Sequence, residues 1–191
     1  MENTQMEAKR KTDLTTYIFL TIGLIPFILI TIYIDDESPS ELSLFLSTFI
    51  DNFMLGPVGA TSSSFPIFSK IMANYNAFVV PLLSVSMYLF LTIMRKKPDV
   101  PISFDYSVNQ YIKVMFAISL FYLIFLVILC LSNIDLDDHN RLGTFSRNKY
   151  TLSFLYMAFL YPLWFILNYS ILFAYTSFTK KFFVVRRASK K

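Results

Sequence analysis

Four long runs of this chain contain no Asp, Glu, Lys, Arg or His: Leu14 to Ile34, Ile71 to Met94, Val114 to Ile134 and Tyr150 to Thr179. A bilayer core of about 30 Å is crossed by roughly 20 apolar residues of helix, and each run is long enough with some tilt. The pattern predicts an all-α integral membrane protein with four transmembrane helices, at approximately 14–34, 71–94, 114–134 and 150–178. The segments between them are too short for a separate core, so residues 1–191 are expected to form a single membrane domain. Lys9, Arg10 and Lys11 before the first run resemble the start of a signal peptide. The run is longer than a signal core, however, and acidic residues follow it instead of a small-residue cleavage site, so a retained anchor is expected.

The polar connections carry their own signals. Ser38-Pro39-Ser40-Glu41 has the form of a capping box, with Ser38 as N-cap, Pro39 at the first helical position and Glu41 at the third. Gly56-Pro57 is a stop signal. Between them Leu42, Phe45, Leu46, Phe49, Ile50 and Phe53 share one helical arc, and Ser43, Ser47, Thr48 and Asp51 share the other. Two roles fit such an amphipathic helix: lying flat in the outer interface, or capping the bundle. Gly59 to Ser64 reads as a flexible Gly/Ser/Thr run. Pro26, Pro81 and Pro162 fall within spans and predict kinks, either as hinges shaping a docking surface or as ordinary membrane-helix prolines. No internal repeat is expected, and the short broken spans of many transporters are absent.

Composition sharpens this picture. The chain is 55% hydrophobic, 18% aromatic and 16% charged, against roughly a quarter charged residues in soluble proteins. Most of its 17 basic residues lie in three segments: Lys9, Arg10 and Lys11; Arg95, Lys96, Lys97 and Lys113; and Lys180, Lys181, Arg186, Arg187, Lys190 and Lys191. Basic residues near span ends stay on the cytoplasmic side, so 1–13, 95–113 and 179–191 are expected inside, and 35–70 and 135–149 outside. Acidic residues lean outward, with Asp35, Asp36, Glu37, Glu41, Asp51, Asp135, Asp137 and Asp138 in the outer connections. The basic C-terminal tail follows a span directly, so topology and anionic headgroups explain it better than nucleic acid does.

Candidate chemistry is sparse. No span carries an ionisable residue of the kind that marks proton relays or intramembrane catalysis. His139, the single histidine, lies in a polar loop without a partner for acid–base or metal work, and Cys130, the single cysteine, reads as a small buried hydrophobe. Phosphate loops, nucleophile elbows and metal-ligand clusters are absent, so no enzyme, cofactor or metal is expected. What remains is recognition. Tyr161, Trp164, Asn168 and Tyr175 fall near helical spacing on one side of the fourth span. Asn168 offers an interhelical hydrogen bond, and Ala73-xxx-Ala77 and Ser170-xxx-Ala174 offer seams for close approach. These stripes serve either to hold the four helices together or to bind a partner. Tyr17, Tyr33, Tyr111 and Tyr150 lie near span ends as interface anchors.

Several stretches also resemble the immunity proteins to pore-forming colicins of the A/B/N type. Ile22-Gly23-Leu24-Ile25-Pro26 is similar to an Ile-Gly-x-Ile-Pro element of that family. Ser62-Ser63-Ser64-Phe65-Pro66 leading into Lys70-Ile71-Met72-Ala73-Asn74-Tyr75-Asn76 is similar to its Ser-rich segment, Pro and Met-x-x-Tyr. Asn133-Ile134-Asp135-Leu136 matches an Asn-apolar-acidic-Leu run, and the basic tail agrees. Asp137-Asp138-His139-Asn140 departs from a pattern that is less acidic and richer in Thr, Ala and Gly, which leaves the cognate toxin open. The resemblance implies a bacterial inner-membrane protein with periplasmic segments 35–70 and 135–149. It would bind the pore-forming domain of a cognate colicin in the bilayer and prevent channel opening. On this reading Tyr161, Trp164, Asn168, Tyr175, Asp135, Asp137 and Asp138 are the candidate toxin contacts. The alternative is a small non-catalytic accessory or assembly subunit of a membrane complex. Oligomeric state is left open.

Overall fold

The computed structural model describes residues 2–54, 56–94, 108–138 and 143–188. The expectations that rest on Arg95, Lys96, Lys97 and His139 lie outside the described residues. Four helices are long and apolar enough to cross a membrane: Leu14–Tyr33, Pro66–Ile93, Ile112–Leu131 and Lys149–Thr176. The protein is therefore an all-α membrane protein. The first span lies within one continuous helix, α1 (Glu2–Tyr33), despite Pro26.

The second and fourth spans are built differently, and alike. The second runs through α3 (Pro66–Asn74), a widened π turn (Tyr75–Val79) and α4 (Val80–Met94). The fourth runs through α7 (Lys149–Leu155), a π turn (Tyr156–Leu160) and α8 (Tyr161–Ala188). Each π turn ends two residues before a proline, Pro81 or Pro162. A proline ring clashes with the carbonyl four residues back, and one extra residue in the turn relieves that crowding. The Val80 and Tyr161 amides accordingly reach back to the Tyr75 and Tyr156 carbonyls.

The matching geometry exposes a repeat that the expectation above denied. Tyr75-Asn-Ala-Phe-Val-Val-Pro81 and Tyr156-Met-Ala-Phe-Leu-Tyr-Pro162 share Tyr-x-Ala-Phe-x-x-Pro at an offset of 81 residues. The same offset pairs Leu82 with Leu163, Tyr88 with Tyr169 and Leu91 with Leu172. Alternating spans make these two helices parallel, and the α4–α8 contact is the most extensive among the described residues. Tyr88 and Tyr169, at equivalent positions of the two helices, meet each other edge to face, with centroids 6.1 Å apart. The third span, α5 (Val108–Leu126) with a π turn (Val127–Leu131), packs on α8 as α1 packs on α4. The second and fourth spans thus carry the same local motif, each packed against the span before it. Periodicity conceals this, because most positions between the shared ones only need to be apolar.

The connections after the first and third spans depart from expectation in three places. Helix α2 runs Glu41–Phe53, with Ser40 and not Ser38 as its N-cap: the Ser43 amide donates to Ser40 Oγ at 3.2 Å. Pro39 pushes the residue before it toward extended backbone, and the Ser38 hydroxyl instead donates to Asp35, 3.3 Å away. Residues Gly59–Thr61 are not a flexible run but a strand, β1, paired in parallel with β2 (Asn133–Asp135). Helix therefore ends at Leu131, and Asn133 and Ile134 leave the third span for the sheet. Gly59 is required there. Its φ is +71°, and a Cβ would stand 2.8 Å from the Leu129 carbonyl oxygen.

Candidate functional site

The aromatic stripe of the fourth span faces inward over most of its length. Phe27 of α1 is fully buried, and Tyr75, Tyr161 and Tyr156 surround it with centroids 4.6, 5.5 and 6.4 Å away. The Tyr75 hydroxyl donates to the Gly23 carbonyl at 2.9 Å, and the Tyr161 hydroxyl donates to the Leu20 carbonyl at 2.9 Å. The Tyr161 ring reaches α1 because Gly23 has no side chain; a Cβ there would lie 2.8 Å from its Cζ. Trp164 is buried and stacked on Tyr122 of α5, with centroids 5.4 Å apart and the planes within 16°. Asn168, also buried, donates to the Trp164 carbonyl at 2.7 Å and accepts from the Tyr122 hydroxyl at 3.0 Å. Lipid offers no hydrophobic drive between helices, so stacking and polar bonds of this kind carry their association. Tyr175 is exposed and pairs with Ser119 of α5 at 3.1 Å. Cys130 is half-buried, and its thiol donates to the Ala77 carbonyl at 3.8 Å. That carbonyl lies four residues before Pro81 and so lacks its ordinary helical donor.

The connections after the first and third spans are bonded together into a cap. Asp137, in the 3-10 turn Leu136–Asp138, accepts the hydroxyls of Ser62 and Ser63 at 3.0 and 2.8 Å and the Ser64 amide at 2.8 Å. Burial pushes this carboxyl up, but hydrogen bonds from Ser146, Ser64, Ser63 and Ser62 outweigh burial and hold it well below the usual carboxylate range. Asp135 accepts the Ser63 amide at 3.2 Å and the Asp137 amide at 3.0 Å. Thr61 donates to Asn133 at 2.6 Å, and the Tyr156 hydroxyl donates to the Ala60 carbonyl. Asp36 accepts the Ile67 amide at 2.7 Å and the Phe68 amide at 3.2 Å, capping α3 from the far end of the first span. Partial burial raises its carboxyl, and those two amides offset part of the rise. Asp138 is exposed. Ser62–Ser64, singled out only as part of a resemblance, thus become the donors that one carboxylate needs.

Among the described residues, no three His, Cys, Asp or Glu side chains converge as metal ligands would. Several polar groups in the bundle join helix to helix, among them Tyr75, Tyr122, Tyr161 and Asn168. Compared with known families, the chain matches the model of the colicin immunity protein over residues 42–187. The chain belongs to the colicin immunity protein family. No curated protein and no solved structure matches it. Membership makes bacteriocin immunity the class of function and a colicin the partner, and proteins of this family act as inhibitors.

For this immunity protein the seven candidate contacts separate by position. Tyr161, Trp164 and Asn168 join the helices internally, and Asp135 and Asp137 join the two outer connections. Tyr175 and Asp138 present exposed surface. Helical spacing correctly put Tyr161, Trp164 and Asn168 on one side, but only the position of the neighbouring helices decides which side is covered. Tyr122 and Gly23, which complete the buried network, carried no comparable signal in the sequence. Their roles depend on residues 46 and 138 positions away, Asn168 and Tyr161.

Proposed function

We infer that this immunity protein binds the pore-forming domain of its cognate colicin within the inner membrane and keeps the channel closed. The supporting observation is that the four apolar spans leave a broad apolar surface facing outward. Exposed residues include Phe116 and Leu123 on α5 and Ile18 and Ile32 on α1. An inhibitor whose residues lie mostly in the bilayer meets a target that acts in the bilayer. Moving a channel from about 99% open to about 99% closed requires about 5.5 kcal/mol of differential binding. Packed helix faces with one or two interhelical hydrogen bonds, each contributing roughly 0.6–2 kcal/mol, reach that sum. No covalent chemistry is required. Tyr175 and Asp138 are the exposed members of the candidate set for direct contact, and Tyr161, Trp164 and Asn168 act by positioning α5 and α8.

The test is protection of sensitive cells against a panel of colicins, scored by membrane potential. Expression is expected to abolish depolarisation by one pore-forming colicin while that toxin still reaches the membrane. Unchanged depolarisation by every pore-forming colicin, or protection against a toxin that acts in the cytoplasm, would overturn the reading.

A further inference from the structure

Among the described residues, the connection between the third and fourth spans holds no counterpart of the 13-residue helix α2: it contains β2, a 3-10 turn and the four-residue α6 (Gly143–Ser146). The surface of α2 divides into three sectors. Ser43 and Ile50 are buried against the bundle. At about 100° per residue, Phe49 lies roughly a quarter turn from them, flanked by Phe45, Leu42 and Phe53. All four are exposed, Phe45 at 65% and Phe53 at 76%. The phenylalanines form a continuous ladder, with centroids 6.4 Å apart from Phe45 to Phe49 and 5.2 Å from Phe49 to Phe53. Thr48 and Asp51 occupy the remaining sector, on the side away from this ridge, with the exposed Leu44 between them.

The depth of α2 is set by its tethers. Lys70 of α3 bridges Asp51 at 2.8 Å, and Asn74 donates to the Gly56 carbonyl at 2.8 Å. Both partners lie in the outer turns of the second span, where polar sequence gives way to the charge-free run. The apolar ridge is therefore held at the level where the apolar surfaces of the spans end. Protein on one side, an uncharged aromatic ridge on the next and Asp51 opposite match a helix lying at a lipid–water boundary. Water would leave four large apolar side chains exposed together, whereas the headgroup–acyl boundary accepts them without stripping Thr48 or Asp51 of solvent.

We propose that α2 is an interfacial anchor, with Leu42, Phe45, Phe49 and Phe53 seated in the outer leaflet of the bilayer. The sequence left lying in the interface and capping the bundle as alternatives; the three sectors assign both roles to one helix, on different faces. The test uses the full chain in phosphatidylcholine–phosphatidylglycerol vesicles, in a Cys130→Ala background, with a bimane label at Phe45→Cys, Phe49→Cys or Phe53→Cys and a reference label at Thr48→Cys. The ridge labels are expected to be quenched by lipids carrying a nitroxide near the headgroup. Aqueous iodide is expected to quench them several-fold less than the Thr48→Cys label. Iodide quenching equal to that reference would overturn the proposal. Protection from both quenchers would also overturn it, and would mean that protein, such as a second copy, covers the ridge. If the cysteine variants do not fold, Phe49→Trp retains an aromatic ring. Its added emission over the parent must be quenched by lipids brominated near the headgroup, and failure of that quenching rejects the anchor.

Discussion

Gly23→Ala adds a single methyl group at the closest approach of α1 to the fourth span. The new Cβ would collide with the Tyr161 hydroxyl and lie 2.8 and 3.0 Å from Cζ and Cε2 of that ring. Tyr161 is fully buried, with Phe27 and Phe165 beside it at 5.5 and 5.8 Å between centroids, so the ring has nowhere free to swing. Overpacking of this kind costs about 1–3 kcal/mol. Displacing the hydroxyl also breaks its bond to the Leu20 carbonyl, a further ~1 kcal/mol. Alanine is the better helix former, by about 1 kcal/mol in water. The expected net loss is therefore roughly 1–3 kcal/mol. Tyr161→Phe deletes the closest of the clashing atoms and the bond to Leu20, so Gly23→Ala in the Tyr161→Phe background is expected to cost at least ~1 kcal/mol less than it does alone, with Cζ still crowding the new methyl. Unfolding in mixed micelles can be followed by the single tryptophan, Trp164, whose stacking on Tyr122 ends when α5 and α8 separate. Additivity of the two changes to within about 0.5 kcal/mol would show that these side chains do not share one space, and would refute the reasoning.

Other perturbations test other parts of the fold. Asp137→Ala is expected to cost roughly 2 kcal/mol by leaving Ser62, Ser63 and Ser64 without their acceptor, read as faster amide exchange in β1 and β2. The folded-state pKa of Asp137 lies below its unfolded value near 3.8, so its contribution is full above that pH and is lost as pH falls further. The stability gap between parent and Asp137→Ala should accordingly stay constant from neutral pH down to about 4 and shrink only below it. Gly59→Ala places a side chain at φ +71° against the Leu129 carbonyl and is expected to cost about 2 kcal/mol or more, measured by the same micelle unfolding. Trp164→Ala should lose about 3–5 kcal/mol of stability together with protection, whereas Tyr175→Ala, at an exposed site, should stay within about 1 kcal/mol. Loss of protection in Tyr175→Ala at unchanged stability would mark a contact with the toxin; equal loss of stability in both would contradict the burial assigned to them.

Much of the architecture was legible because lipid imposes a simple rule. A helix crossing the bilayer must hide its backbone and carry almost no charge, so counting uncharged residues finds four spans. The amphipathic α2 was legible for a similar reason, though its start was not: two serines flank Pro39, and the local competition between them decides which one caps. The internal repeat was present in the sequence as Tyr-x-Ala-Phe-x-x-Pro, yet it became recognisable only when two identical π turns appeared before Pro81 and Pro162. The outer cap was the least legible part. Ser62–Ser64 and Asp137 lie more than 70 residues apart, and a Gly/Ser/Thr run has no period that distinguishes an ordered strand from a flexible loop.

By itself the sequence determined how many helices enter the bilayer and that their interiors hold no ionisable group. These are properties of each segment against its solvent. Tertiary structure alone decided which sides of those helices are covered. Tyr161, Trp164 and Asn168 lie near one side of α8 in any helix, but α1 and α5 bury them because Gly23 and Tyr122 meet them across the bundle. Asp137 became a hub instead of an exposed charge for the same reason. In a bilayer, apolarity drives a helix out of water but not toward any particular neighbour, so the choice of neighbour falls to close packing and to the few polar bonds that only the assembled chain can form.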